Sequence, residues 1–155
     1  MPTSLQAELK QSKPFGGPEH EAVLSIARTA AILEHSTSEA IKRYGLTLTQ
    51  YNALRILRGA GADGLCRNEV RDRLIARVPD ATRLLDRLGE MGLVVRAREG
   101  DDRRFVRARI TQAGLDLIAP LDDVIQEVHR RQLGHLGPER LRQLVDLLAA
   151  ARNHG

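Results

Sequence analysis

The sequence has a single cysteine, Cys66, in 155 residues. One thiol cannot build an internal disulfide framework, and it fits a reducing compartment. No apolar run approaches the roughly 20 residues that a membrane-spanning helix needs. Met1-Pro2-Thr3 opens no secretory signal. These absences predict a cytoplasmic protein that does not enter a membrane. Neither G-x-S-x-G nor H-E-x-x-H occurs, and no nucleophile–base constellation stands out, so an enzyme is not expected. His20, His35, His129, His135 and His154 form no close pair at ligand spacing, and C-x-x-C is absent, which argues against a metal site. Internal repeats and low-complexity tracts are also missing.

One string imitates a cofactor motif. Gly59-Ala60-Gly61-Ala62-Asp63-Gly64 matches G-x-G-x-x-G literally. A dinucleotide site needs a strand before that string and a helix opening on its third glycine, so that backbone amides face a pyrophosphate. Here a helical pattern precedes it and no βαβ unit surrounds it. A loop between elements is the expectation, and no cofactor is implied.

What is present is charge in one place. The net charge is +4, and the segment from Arg67 to Arg109 carries all of it, with twelve arginines against eight acidic residues. A basic segment joined to a neutral remainder suits a polyanion partner. The competing reading is a solvated surface that uses arginine, and charge alone leaves the two open. The hydrophobic content of 42% argues against disorder, and the length suits one domain or one two-lobed unit.

Taken in order, residues 1–19 contain Pro2, Pro14, Pro18 and Gly16-Gly17 and read as an extended arm. From His20 to about Tyr44, Val23, Ile26, Ala30, Leu33, Thr37, Ile41 and Tyr44 keep a helical stripe that Gly45 ends. Thr47-x-x-Gln50 has capping-box form and opens a second helix with Tyr51, Leu54 and Leu57 inward. The stretch from Leu65 to Thr111 reads as a short helix, a turn at Arg77-Val78-Pro79-Asp80, a second helix and a basic hairpin. Leu84, Leu85, Leu88 and Met91 line one face of the second helix. Asp80, Arg83, Asp86, Arg87 and Glu90 line the other. Gly92 closes it before Leu93-Val94-Val95 starts a strand.

In the hairpin, Val106, Ala108 and Ile110 alternate with Phe105, Arg107 and Arg109, giving one apolar and one largely cationic face. Arg96 and Arg98 alternate with Val95 and Ala97. The tip runs Glu99-Gly100-Asp101-Asp102-Arg103-Arg104. Two short helices followed by such a hairpin make a winged helix-turn-helix. The helix fits a major groove, and an arginine on a projecting tip reaches a narrow minor groove. This geometry turns the charge argument toward DNA. After the hairpin, Thr111 is placed to cap a long helix with Leu115, Ile118, Leu121, Ile125 and Val128 in register; Pro120, inside that pattern, should kink it or shift its start. Leu136-Gly137-Pro138 opens a last helix with a stripe of Leu141, Leu144, Val145, Leu148 and Ala151.

These residues carry a family resemblance. Asp102-Arg103-Arg104 with Ala108-Arg109-Ile110-Thr111 is similar to the wing pattern D-x-R-x-x-x-V-x-L-T of the MarR family of bacterial transcription regulators. Alanine and isoleucine stand where valine and leucine are usual. Thr82-Arg83-Leu84-Leu85-Asp86-Arg87-Leu88 and Gly92-Leu93-Val94 resemble its recognition helix and exit. Gly45-Leu46-Thr47-Leu48-Thr49-Gln50-Tyr51, with Leu54 and Leu57, resembles its second helix. The resemblance implies a mainly α fold with a small β-hairpin wing, a winged helix-turn-helix plus a terminal helical dimerisation region. The expected domains are an arm (1–19), a helical dimerisation region (20–44 and 112–155) and a DNA-binding lobe (45–111). It further implies a homodimer that binds double-stranded DNA at a palindromic operator, with half-sites about one helical turn apart.

The candidate DNA contacts are Arg77, Asp80, Thr82, Arg83, Arg87, Arg96, Arg98, Asp102, Arg103, Arg104 and Arg107, with Arg109 beside them. Arg83 and Arg87 can be bidentate to guanine, and Thr82 suits a phosphate or a thymine methyl. The two arginines are equally spaced for helix pairs with Asp80, Asp86 or Glu90. Arg77 suits a phosphate, and Arg96, Arg98, Arg107 and Arg109 supply affinity and salt dependence. Asp102 with Arg104 is the strongest pair. Arg103 can take the place of Arg104, and a surface ion pair is the alternative.

A small anionic or aromatic effector that relieves repression is implied by the family, with Arg28, His35 and Tyr51 as candidate lining residues. Each serves equally as a surface or interface residue. Cys66 admits a redox-sensing reading beside a structural one. A dimeric ligand-binding or scaffold protein without DNA binding is the remaining alternative.

Overall fold

A computed structural model of the chain describes residues 3–98 and 106–154. They fall into two units, Met1–Ser36 and Thr37–Gly155. In the first, a short helix α1 (Leu5–Glu8) starts where Ser4 Oγ accepts the Ala7 amide at 3.3 Å. Helix α2 (Pro18–Lys42) opens on proline, whose missing N–H is no loss in a first turn. Gly16 N donates to His20 Nδ1 at 3.3 Å, and the Phe15 ring meets His20 edge-on at 5.8 Å. No residue of 3–36 is buried, and Val23 is 64% exposed. The stripe expected from His20 to Tyr44 therefore ends two residues early and is covered only at Thr37 and Ile41, within the second unit.

The second unit holds the core. Gln50 N donates to Thr47 Oγ1 at 3.1 Å and Thr47 N to Gln50 Oε1 at 3.0 Å, the reciprocal box that starts α3 (Leu48–Ala60). Tyr51, Ala53, Leu54 and Leu57 of α3 are buried, each large side chain contributing about 1.5–3 kcal/mol. A turn at Gly61–Asp63 leads into β1 (Leu65–Cys66), α4 (Arg67–Arg73), α5 (Thr82–Glu90), β2 (Val94–Arg98) and β3 (Val106–Ile110). The sheet order is β1-β3-β2, all antiparallel, with Leu65 opposite Ala108 and Val94 opposite Ile110. Thr111 Oγ1 accepts the Gly114 amide at 3.1 Å and donates to Gly92 O at 2.8 Å, fixing α6 (Gln112–Ile118) to the exit of α5. Helices α7 (Leu121–Leu133) and α8 (Gly137–Arg152) complete the chain.

The mainly α fold with a β wing is as expected, with three local corrections. Leu65-Cys66 is a strand, so β3 is flanked on both edges and the wing is rooted in a three-stranded sheet. The stretch expected as an extended arm holds helix α1, whereas the interruption expected at Pro120 is present, since its nitrogen cannot continue the ladder and α7 starts after it. Asp80 lies ahead of α5, not on its outer face.

Candidate nucleic-acid interface

Helix α5 is positioned at both ends. Its first turn has no side-chain cap from Ala81. Instead Asp80 Oδ1 accepts the Thr82 amide at 2.9 Å and the Thr82 hydroxyl at 2.7 Å. These two hydrogen bonds, the hydroxyl's first, hold the Asp80 carboxyl below the usual carboxylate range. Arg67 reaches across from α4, its Nη1 3.5 Å from Thr82 Oγ1. At the far end, Leu93 N donates to Leu88 O at 3.0 Å as the chain turns through Gly92, whose φ is +75°. Ala81, Leu85 and Leu88 anchor the inner face in the core.

The outer face is cationic and graded in its commitments. Arg87 Nη1 is 3.1 Å from Glu90 Oε2. Arg96, projecting from β2, pairs with Asp86 and so ties strand to helix. Arg83 and Arg87 are both exposed, but Arg83 carries no hydrogen bond or ion pair among the described residues. Arg77 and Arg98 are likewise exposed and uncommitted among the described residues. Arg77 lies on an open depression of about 640 Å³ lined by the end of α4 and the loop after it, beside Arg71 and the outward-facing Ile75, which is 88% exposed. The Ile75 amide donates to Asn52 Oδ1 at 2.9 Å and so ties this loop to α3.

Strand β3 departs from the expected free cationic face. Arg107 is half-buried, donates from Nη1 to Gly64 O at 3.3 Å and stands 3.9 Å from Glu69 Oε2. Arg109 is half-buried too. The cause is β1, which covers the edge of β3 that a two-stranded hairpin would leave open. Asp102, Arg103 and Arg104 lie outside the described residues, as does Phe105.

Cys66 sits at the start of α4, half-buried, its amide donating to Glu69 Oε2 at 2.8 Å. That bond, with the thiol's, lowers the Glu69 carboxyl below its usual range. Arg28 and His35 are exposed on α2 in the first unit. Tyr51 belongs to the second unit and is only 5% exposed, its hydroxyl donating to Asp122 Oδ1 at 2.8 Å. Asp122 also takes Arg58 Nη1 at 2.6 Å and Nη2 at 3.2 Å, with Arg55 Nε at 3.7 Å. Nothing in the sequence pattern points to this junction. Its one local trace is an acid in the first turn after Pro120, which any helix start favours. Among the described residues no acidic, histidine and cysteine side chains cluster as a metal site. No helix of the described residues is long and apolar enough to cross a membrane.

No family model matches the chain. It is similar to the crystal structure of a MarR transcription factor from Planctomyces limnophilus, with 37% identity and a TM-score of 0.68, covering 88% of this chain and 99% of that one. It is 28% identical to the HTH-type transcriptional regulator YkoM of Bacillus subtilis over 90% of this chain and 92% of that protein. It is 29% identical to the homoprotocatechuate degradative operon repressor of Escherichia coli over 70% of this chain and 72% of that protein.

Proposed function

The chain belongs to the MarR family of transcription regulators, and from that premise we propose that it represses transcription as a homodimer on an inverted-repeat operator. It is a sequence-specific DNA-binding regulator. The observation that carries the site assignment is helix α5, capped by Asp80 and presenting Arg83 and Arg87 to solvent while Leu85 and Leu88 fix its opposite face. A guanidinium on such a helix reads guanine through two parallel hydrogen bonds. Arg77, Arg96 and Arg98 supply phosphate contacts, which position without specifying. An arginine among Asp102, Arg103 and Arg104 suits the minor groove, and Arg107 serves as a strut between β3 and Gly64. Asp80 acts through Thr82.

The assignment of 20–44 and 112–155 to dimerisation, and of 45–111 to DNA, is part of this reading. Val23 and Ile26 on α2, and Val145 and Leu147 on α8, are large apolar side chains left open in the single chain. Burial against a second copy is the common solution for such faces. The repressor sense is supported by the Escherichia coli relative, which is named for repressing a degradative operon. Relief by a small anionic or aromatic effector, with the exposed Arg28 and His35 of α2 as candidate contacts, is a population shift and requires unequal affinity for two states of the dimer.

The test is binding to a duplex spanning the protein's own upstream region, for wild type, Arg83→Ala and Arg104→Ala, at two salt concentrations. Tight, salt-sensitive binding that weakens in both variants is expected. Equal affinity of wild type for random duplex would exclude autoregulation, and no DNA binding at any salt would sink the reading.

A further inference from the structure

Resting on the regulator reading, we propose that Asp122 is a positioning residue for operator recognition: by locking the first turn of α7 onto α3, it sets the direction in which the C-terminal helices leave the reading lobe, and so the spacing of half-sites that a dimer accepts. Three side chains of one helix face, Tyr51, Arg55 and Arg58, converge on this one carboxylate across the core. They recur at i, i+4 and i+7, so α3 presents them as a row.

The location gives the junction its meaning. Helices α6 and α7 are not one rod, since Pro120 interrupts them. Among the described residues Leu121 and Ile125 are the last that are buried, and α8 has none. Among the described residues no buried side chain beyond Ile125 sets where the helices point. Asp122 lies between those two anchors, at the last place where the C-terminal region grips the core.

The pair does little for stability, since Asp122 and Arg58 side chains are each 33% exposed and ion pairs in such settings contribute little. Its geometry is directional instead. The guanidinium meets the carboxylate through two nitrogens, and the phenol adds a third donor from the buried side. Two apolar anchors tolerate rotation about the helix axis, whereas three converging hydrogen bonds do not.

The test uses the full chain to select duplexes from a pool with randomised cores. The survivors are sequenced for half-site bases and for the distance between half-sites. Wild type is expected to return one spacing. Asp122→Asn is expected to return the same half-site bases over a spread of spacings, with affinity for the wild-type duplex lowered on the order of tenfold. Asp122→Glu, which keeps the charge, should restore the single spacing. Tyr51→Phe removes one donor and leaves the ring in the core, so it decides the matter if Asp122→Asn fails to fold. A folded variant in which the Tyr51 phenol titrates lower, yet the single spacing persists, would overturn the proposal. If wild type itself selects no duplex, the regulator reading fails and takes this one with it. Unchanged spacing in the variants beside a clean wild-type site removes the positioning role alone.

Discussion

Thr82 gives both its amide and its hydroxyl to one oxygen of Asp80, at 2.9 and 2.7 Å, so the residue opening the reading helix is fixed by the residue two places before it. This is an Asx turn, in which a short side chain imitates a turn of backbone. Asp80→Ala is expected to fray the first turn of α5, seen as faster amide exchange at Thr82 and Arg83 and a lower Tm. Asp80→Asn keeps an acceptor and should lose less. The carboxyl is lowered in the folded state, so its contribution is full above the unfolded value of about 3.9 and fades as pH falls through the folded value. Unchanged exchange at Thr82 in Asp80→Ala would remove the capping role.

Two glycines mark where the helices and sheet approach too closely for a side chain. A Cβ on Gly114 would lie 2.6 Å from Leu93 O and 2.7 Å from Ile110 Cγ1. On Gly64, at φ +64°, it would lie 2.5 Å from Ala108 O, a backbone atom that cannot step aside. Gly114→Ala is expected to cost about 1–3 kcal/mol in urea unfolding, and Gly64→Ala at least as much. Gly45→Ala, with φ +75° but open space, should be milder than Gly64→Ala. Equal midpoints for the two would show that backbone strain, not steric overlap, decides.

The elements that could be read from the chain are those with local causes. Thr47 and Gln50, Thr111, Pro138 and Gly92 each act within a few residues of themselves, and the helices they bound start and end beside them. Leu65-Cys66 offers two residues, too few for alternation to show, and its strand exists only because β3 lies alongside. That one omission is why Arg107 reads as a free cation in the sequence. Asp122 and its partners are separated by 64 and 71 residues, and no periodicity connects them. For the candidate interface, residue type and helical spacing show which arginines share a face. The acid each one holds, Glu90 for Arg87 and Asp86 for Arg96, needs the fold.

Arg83 and Arg77 separate base reading from phosphate binding. Arg83 is uncommitted on the outer face of α5 among the described residues, and Arg77 lies on the loop before it. Arg83→Ala is expected to cost about 1–3 kcal/mol on the preferred duplex and to relax preference at one base pair per half-site. Arg77→Ala should weaken binding evenly across sequences and reduce the salt slope by about 1 for each phosphate left without its guanidinium. Affinities on a panel of single-base variants at several salt concentrations distinguish them. A reversed pattern would exchange the two roles.

The junction around Asp122 should also show itself as a function of pH. Burial, and after it the hydrogen bond to Asp122, pushes the Tyr51 phenol up to about 12. A phenol favoured in its neutral form by the fold contributes stability that is complete below its unfolded value of about 10 and disappears as pH rises through the folded value. Asp122 runs the other way. The hydrogen bond from Arg58 is the largest influence holding its carboxyl below the usual range, so its contribution is present above about pH 3.9 and is lost as pH falls through the folded value. Absorbance at the phenolate band should therefore show Tyr51 titrating late, and Asp122→Asn should bring that titration down while costing stability above about pH 3.9, a deficit that closes as pH falls through the folded value. A single tyrosine titration near 10 in the folded wild type would mean that Tyr51 and Asp122 do not hold each other in solution.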